Sequence, residues 1–426
     1  MPLRLAYGKT GLDLDLDPAW DVTVAEPRDL PGLPNHRAAI RKALRAPLGS
    51  RPLRDQVQPG MKVGIVFSDI TRPTPNVLML PVVLEELEAA GAARKDVVLF
   101  NALGTHRANT DAELGYMLGE TLVANYRLVQ NDAFDQRTQM YLGQTARGHA
   151  VWLNRELMAC DLKVLTGFIE PHFFAGFSGG GKALMPGMAG QQTVLGNHDA
   201  GMIAHPQATW GVTHGNPIWE EAREVAQKAG RLFLLNLTLS NDKQITCVFA
   251  GDLAAAHDAG CAFVKQTAMV PVAQPFDIVI TTNSGYPLDQ NLYQSVKGMS
   301  AAAQVVKEGG AILIAAECCD GLPEHGLYGQ LLREARNPRE LLQRVRAPGF
   351  LKQDQWQVQI QAQIQLKAEV YVHSRHLTDD QVLGALLLPC PRLETTVRAL
   401  LERYGPHAKI CVLPQGPQTI PYVSAC

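Results

Sequence analysis

The chain has no run of the roughly 20 consecutive apolar residues that a membrane-spanning helix requires, which excludes a transmembrane segment of that kind. It has no excess of either charge. The 39 Lys and Arg against 41 Asp and Glu leave a net charge of −2, and so no basic field for nucleic acid or an anionic bilayer. Paired cysteine motifs are missing too: the eight cysteines, at positions 160, 247, 261, 318, 319, 390, 411 and 426, form no C-x-x-C spacing. The adjacent Cys318 and Cys319 are poorly disposed to share one metal, so reduced, mostly buried thiols are expected. Nor is there an H-E-x-x-H signature, an internal repeat or a low-complexity segment; the Gln-rich run from Gln353 to Gln365 is too interleaved with apolar residues to count as one.

What remains is the composition of a globular enzyme, 46% hydrophobic and 19% charged, in a chain whose 426 residues exceed one ordinary core. The N-terminal MPLRLAYGKTGLDLDLD alternates apolar and polar residues, reading as a strand or hairpin and not as a signal peptide. The expected location is therefore cytoplasmic.

A single grammar recurs along the chain: a short apolar run, then a loop rich in polar residues and glycine, then helical periodicity. MKVGIVF (61–67) runs into Ser68-Asp-Ile-Thr-Arg-Pro, and DVVLF (96–100) into Asn101-Ala-Leu-Gly-Thr-His. DLKVLTGF (161–168) runs into a glycine-rich loop; FDIVITTN (276–283) and AILIAAE (311–317) repeat the pattern. Strands alternating with helices imply doubly wound parallel sheets, in two α/β domains. The first is expected over residues 1–270 and the second over 271–404, leaving 405–426 free to rejoin the first. Ligands bind such sheets beyond the carboxyl ends of their strands. Asp69, Arg72, His106, His172 and Lys182 all follow predicted strands, which marks those loops as a candidate site.

The most informative loop is Glu170-Pro-His-Phe-Phe-Ala-Gly-Phe-Ser-Gly-Gly-Gly-Lys, with Lys182 at its end. Residues 176–182 satisfy the first seven positions of a phosphate-binding P-loop, but the eighth is Ala183 where a magnesium-binding hydroxyl is needed, and the strand ends too early. A bound phosphate is compatible with the loop; nucleoside-triphosphate hydrolysis is not. Alone, His106 or His172 would be read as a surface or structural residue. At equivalent ends of one sheet they suit paired acid–base work, and with His198 they would also make a three-histidine zinc site. Arg72 offers a planar fork for a carboxylate or phosphate, or a surface salt bridge. Tyr293 and Lys297 share a helix face, facing substrate or solvent, and for Trp356 packing is the plain interpretation.

Together these segments resemble the nickel-pincer lactate racemase family of 2-hydroxyacid racemases and epimerases. The resemblance is carried by Ser68-Asp-Ile-Thr-Arg-Pro-Thr-Pro, Gly104-Thr-His-Arg, the loop from Glu170 to Lys182, Gly196-Asn-His, and Gly285-Tyr-Pro-Leu-Asp-Gln-Asn-Leu-Tyr-Gln-Ser-Val-Lys-Gly. Order and spacing agree along nearly the whole chain. The resemblance implies two α/β domains with the site between them. It also implies a nickel-bound pyridinium-3-thioamide-5-thiocarboxylic acid mononucleotide, tethered to Lys182, with His198 as the nickel ligand and Asp69 near the cofactor. His106 and His172 would be the acid–base pair, and Arg72, Tyr293, Gln294, Lys297 and Trp356 would hold a small 2-hydroxyacid. Partner proteins that build the cofactor and insert nickel are implied as well.

The implied chemistry suits these residue types. Removing the α-hydrogen of a hydroxyacid as a proton would build charge beside a carboxylate, whereas removing it as hydride leaves a neutral ketone, and an electron-poor pyridinium accepts hydride. Two enantiomers present their hydroxyl to opposite sides, so two bases are required. Two other functions stay open at this point: a His-ligated metal-dependent hydrolase or lyase without organic cofactor, and a non-catalytic nucleotide-phosphate-binding protein.

Overall fold

The computed structural model of the chain describes residues 1–424. Val63–Ser68 and Leu162–Phe168 carry almost no polar alternation, and both are buried along nearly their whole length, as central strands of a parallel sheet must be. They pair directly, Val63 beside Leu162. Val97–Ala102 and then Arg127–Gln130 extend the sheet on one side, and Leu232–Leu239 and Ile245–Gly251 on the other. Only the Leu232–Leu239 and Ile245–Gly251 pair is antiparallel. Val66, Phe100, Leu165 and Leu234 face one core, and Ile65, Leu99, Val164 and Leu235 the other, so both faces of this six-stranded sheet are covered.

Strand order reverses between Val63–Ser68 and Leu162–Phe168, since the chain grows outward from Val63–Ser68 in one direction and returns to its other side later. That reversal opens a crevice at the carboxyl ends of the two strands. The loops bearing Asp69, Arg72, His172 and Lys182 leave from this point.

The second sheet is also six-stranded, with all its pairs parallel: Leu388–Pro389, Glu369–His373, Val306–Ala315, Phe276–Thr282, Lys409–Leu413 and Asp21–Val24, in that order. The fold is thus α/β, in two domains with mainly parallel sheets. The second sheet has its own switch point, between Phe276–Thr282 and Lys409–Leu413, and the helix Leu292–Ala303 follows the first of these strands.

Two strands sit where sequence reasoning did not expect them. Lys409–Leu413 joins the second sheet instead of returning to the first, and the N-terminal strand Asp21–Val24 pairs beside it. The expected N-terminal hairpin is present, Pro2–Leu5 against Leu12–Asp15. Its Leu5 and Leu14 pack in one cluster with Ile278, Ile280 and Ile410 of the second sheet. Across the expected boundary at residue 270 runs a short strand, Met269–Val272, paired with Ile420–Val423. Sheet membership here follows apolar complementarity between distant segments, which local pattern does not encode.

All seven described cysteines are free thiols, five of them buried; Cys319 is exposed and Cys426 lies outside the described residues. Among the described residues no helix is long and apolar enough to cross a membrane.

Candidate active site

The turn after Val63–Ser68 closes with Arg72 N donating to the Asp69 carbonyl at 3.1 Å. This fold-back directs the Asp69 carboxylate inward, where it is 4% exposed. Its Oδ1 accepts from the Thr71 hydroxyl at 2.6 Å, and its Oδ2 lies 2.6 Å from Nδ1 of His106, on the loop after the adjacent strand. Burial alone would raise the Asp69 pKa. The His106 imidazole, Arg72 and the Thr71 hydroxyl together outweigh it and hold the carboxyl below its ordinary value. An ionised Asp69 accepts only, so His106 keeps its ring proton on Nδ1 and offers the Nε2 lone pair outward.

The Glu170–Lys182 loop contains a feature the sequence did not disclose. Pro171–His172 pairs antiparallel with Gly176–Phe177, His172 opposite Gly176. The turn between them brings Ala175 N to 3.2 Å from His172 Nδ1, so that this nitrogen is an acceptor and the neutral ring carries its proton on Nε2. Burial, and after it the charges of Lys182, Lys297 and Arg72, push the His172 pKa well below its usual value. The hydrogen bonds thus assign opposite states to the two rings: an Nε2 acceptor on His106 and an Nε2–H donor on His172.

Beyond the ladder the chain makes one tight turn, Gly180–Ala183, too short to be the helix of a P-loop. Gly179 has φ +77°, and a Cβ there would meet Asn236 Oδ1 at 2.5 Å. A glycine is needed to bring the loop against the sheet, where Gly180 N donates to that same oxygen at 2.8 Å. Lys182 emerges from this turn with its amine 5.4 Å from the Phe174 ring centre. Burial, with Arg72, lowers its pKa to about 7, so a large share of the amine is neutral near physiological pH.

His198 follows the helix Gln191–Asn197 and is clamped edge-on between two rings, Phe174 at 5.0 Å and Trp356 at 5.1 Å. Its Nδ1 is buried without a hydrogen-bond partner, and burial together with Lys182 holds its pKa well below the usual value. A neutral imidazole with a free lone pair is the form that ligates a metal.

The second domain contributes one helix face. Asn291 caps the helix Leu292–Ala303 by accepting from Gln294 N at 3.0 Å, and Tyr293, Gln294 and Lys297 then turn toward the first domain's loops. Trp356 Nε1 donates to the Tyr293 hydroxyl at 2.9 Å. Lys297 Nζ and Gln294 Oε1 are buried without partners. The Lys297 pKa falls to about 7 through burial and the nearby Arg72. Unsatisfied buried polar groups are costly, so a cleft that leaves these open is shaped for a ligand that completes them.

Every residue singled out from sequence lines one cleft enclosing about 1000 Å³ of empty space, part of it open to solvent. The aromatic wall was missed as such: Phe174 touches His172, His198 and Lys182 in turn, yet in sequence it is one of two phenylalanines in a motif. Among the described residues no three His, Cys, Asp or Glu side chains converge to hold a metal, so the three-histidine zinc site is not built. A metal bound at His198 must take most of its donors from a non-protein ligand.

Two imidazoles, His106 and His172, and the basic side chains of Arg72, Lys182 and Lys297 line one cleft beside the two switch points, a lining that suits an α/β enzyme with a small anionic substrate. Comparison with known proteins narrows that class. Residues 7–211 match the family described as lactate racemase N-terminal domain, and residues 272–420 the one described as lactate racemase C-terminal domain. The chain belongs to the lactate racemase family, and it is an isomerase of that family. It is 37% identical over 383 residues, 89% of each chain, to a lactate racemase of Thermoanaerobacterium thermosaccharolyticum. It is 36% identical over 384 residues, 90% of each chain, to one of Lactiplantibacillus plantarum. The solved structure of the Thermoanaerobacterium lactate racemase apoprotein superimposes with a TM-score of 0.91 at 35% identity, covering 99% of this chain and 100% of that one. A protein of Thermotoga maritima shares the fold at a TM-score of 0.72 and 17% identity, over 93% of this chain and 100% of that one.

Proposed function

We propose that the protein interconverts the two C2 configurations of a 2-hydroxyacid, lactate or a close relative, using a nickel-pincer pyridinium nucleotide. The observation that carries this reading is the pair His106 and His172, whose hydrogen bonds favour opposite tautomers, in one cleft with Arg72, Lys182 and Lys297. The residues present fit such a cofactor. A lysine amine with a substantial neutral fraction near pH 7 is a competent nucleophile for an acyl-type tether, and His198 offers one unpaired nitrogen to a metal whose other donors the nucleotide would carry. When bound, the group supplies a reversible hydride acceptor.

The chain's own residues do the rest. Arg72 and Lys297 anchor the substrate carboxylate, and Gln294 and Tyr293 border it from the second domain. For one enantiomer His106 takes the hydroxyl proton at Nε2, and Asp69 stabilises the imidazolium that forms. For the other, His172 faces the hydroxyl, and it takes that proton at Nε2 in the tautomer that carries its own proton on Nδ1, reached when the contact with the Ala175 amide opens. Phe174 and Trp356 keep water from the space between them, which strengthens every charge interaction there.

The test is a chirality assay over a panel of 2-hydroxyacids, on protein co-produced with cofactor-making enzymes, with peptide mass spectrometry of Lys182. Racemisation of at least one acid and a covalent adduct on Lys182 are expected. His106→Ala and His172→Ala should each abolish racemisation and keep the adduct. An unmodified Lys182 in active protein would overturn the cofactor assignment, and full activity in either histidine variant would overturn the two-base scheme.

A further inference from the structure

The glutamines at 353, 355, 357, 359, 361, 363 and 365 recur at every second residue. In a strand that spacing would line one face. Here it lies largely on the helix Gln355–Lys367, where each step of two residues turns about 200°, so alternate glutamines fall on opposite sides and residues four apart share one. The result is two ladders. Gln357, Gln361 and Gln365 donate to carbonyls of their own domain, those of Tyr293, Ala385 and Leu386. Gln355 and Gln359, on the opposite side, reach the other domain, as does Gln353, which precedes the helix.

The targets of this second ladder are specific. Gln353 Nε2 donates to the Thr105 carbonyl at 3.2 Å, Gln355 Nε2 to the His198 carbonyl at 3.4 Å, and Gln359 Nε2 to the Ala200 carbonyl at 2.9 Å. Thr105 immediately precedes His106. The rungs therefore grip the backbone of two segments that carry site imidazoles. All three amides are buried, with Gln355 and Gln359 at 0% exposure. The start of the ladder is fixed within the second domain, because Asp354 Oδ2 accepts from Leu327 N at 2.9 Å and Tyr328 N at 3.2 Å. Other bonds join the domains, such as Trp210 Nε1 to Ser300 Oγ at 3.1 Å, but among the described residues they do not reach these segments. Among the described residues the chain passes from one six-stranded sheet to the other between Val24 and Val63 and between Gly251 and Phe276, so closure on the histidine loops depends on side-chain contacts.

We infer that Gln353 and Gln355 are positioning residues, supported by Gln359. They clasp the second domain onto the loops of His106 and His198, and so couple domain closure to assembly of the site. The inference rests on the roles given to those histidines above. An amide is well matched to such a rung, because it donates to a carbonyl without bringing charge into a cleft already crowded with cations.

The experiment compares Gln353→Glu, Gln355→Glu and the milder Gln355→Met with Gln365→Ala, whose rung stays within its own domain. Each is read by amide hydrogen exchange, small-angle scattering and, in cofactor-loaded enzyme, kcat. The cross-domain variants should speed exchange over residues 103–107 and 196–202 by about tenfold and enlarge the radius of gyration. They should also lower kcat by about tenfold or more with the Lys182 adduct retained. Gln365→Ala should lower the melting temperature and leave exchange in those segments and kcat within about twofold. Unchanged exchange and scattering in the Gln353 and Gln355 variants, or equal changes in Gln365→Ala, would overturn the clasp. If exchange and scattering respond but wild-type enzyme racemises no hydroxyacid, the clasp stands and the proposed function fails. Racemisation with no such response fails the clasp alone.

Discussion

Asp69→Asn is the sharpest single perturbation of the site, because it keeps the shape of the side chain and removes its charge. The carboxylate is buried and lies 2.6 Å from His106 Nδ1. In the proposed scheme His106 becomes an imidazolium, with a charge on the order of 4 Å from that of Asp69. At an effective dielectric of about 20 this attraction is worth about 4 kcal/mol. Each 1.4 kcal/mol is about tenfold in rate, so kcat should fall by about 10²–10³. A second effect has the same sign: an asparagine amide is able to donate to Nδ1, which would move the ring proton to Nε2 and leave no base facing the substrate. The assay is chiral chromatography of the product from each enantiomer, with intact mass to verify that Lys182 is still modified. Asp69→Asn retaining more than about a third of wild-type kcat from both enantiomers would refute the orienting role of this pair.

Three further outcomes are expected. Lys297 is protonated below about pH 7 and loses its charge as pH rises through that value, so kcat/KM for a 2-hydroxyacid should fall between pH 7 and 9; kcat should change less, since bound carboxylate favours the charged amine, and a flat KM from pH 6 to 9 would contradict this. Lys182→Arg should keep positive charge in the cleft yet prevent the adduct, giving loss of activity and an unmodified mass, whereas an active, adduct-bearing variant would contradict it. Gly179→Ala should destabilise the protein by about 1–3 kcal/mol in thermal unfolding, because its φ of +77° and the contact with Asn236 leave no room for a Cβ; an unchanged melting temperature would contradict it.

The sequence was most legible where a strand's apolar run and its following loop are contiguous. Val63–Ser68, Val97–Ala102 and Leu162–Phe168, and the site loops after them, could all be read locally, because a buried parallel strand declares itself in composition and its loop lies next to it. The placement of Asp21–Val24 and Lys409–Leu413 side by side could not, since nearly the whole chain separates them and only packing joins them. The same distinction holds inside the site. His106 and His172 stand out as residue types beside glycine and proline, but their opposite proton placement depends on Asp69 and on the Ala175 amide, partners fixed by three-dimensional folding. The Gln-rich run was visible and unexplained, because its two faces acquire meaning only once each meets a different domain.

The central claim is that the hydrogen at C2 leaves and returns as hydride while the two imidazoles handle only the hydroxyl proton. Racemisation of a single enantiomer in D₂O by cofactor-loaded enzyme, followed by mass spectrometry and chiral separation, tests it most directly. Both enantiomers should accumulate with protium retained at C2. Deuterium entering C2 at the rate of racemisation would contradict it.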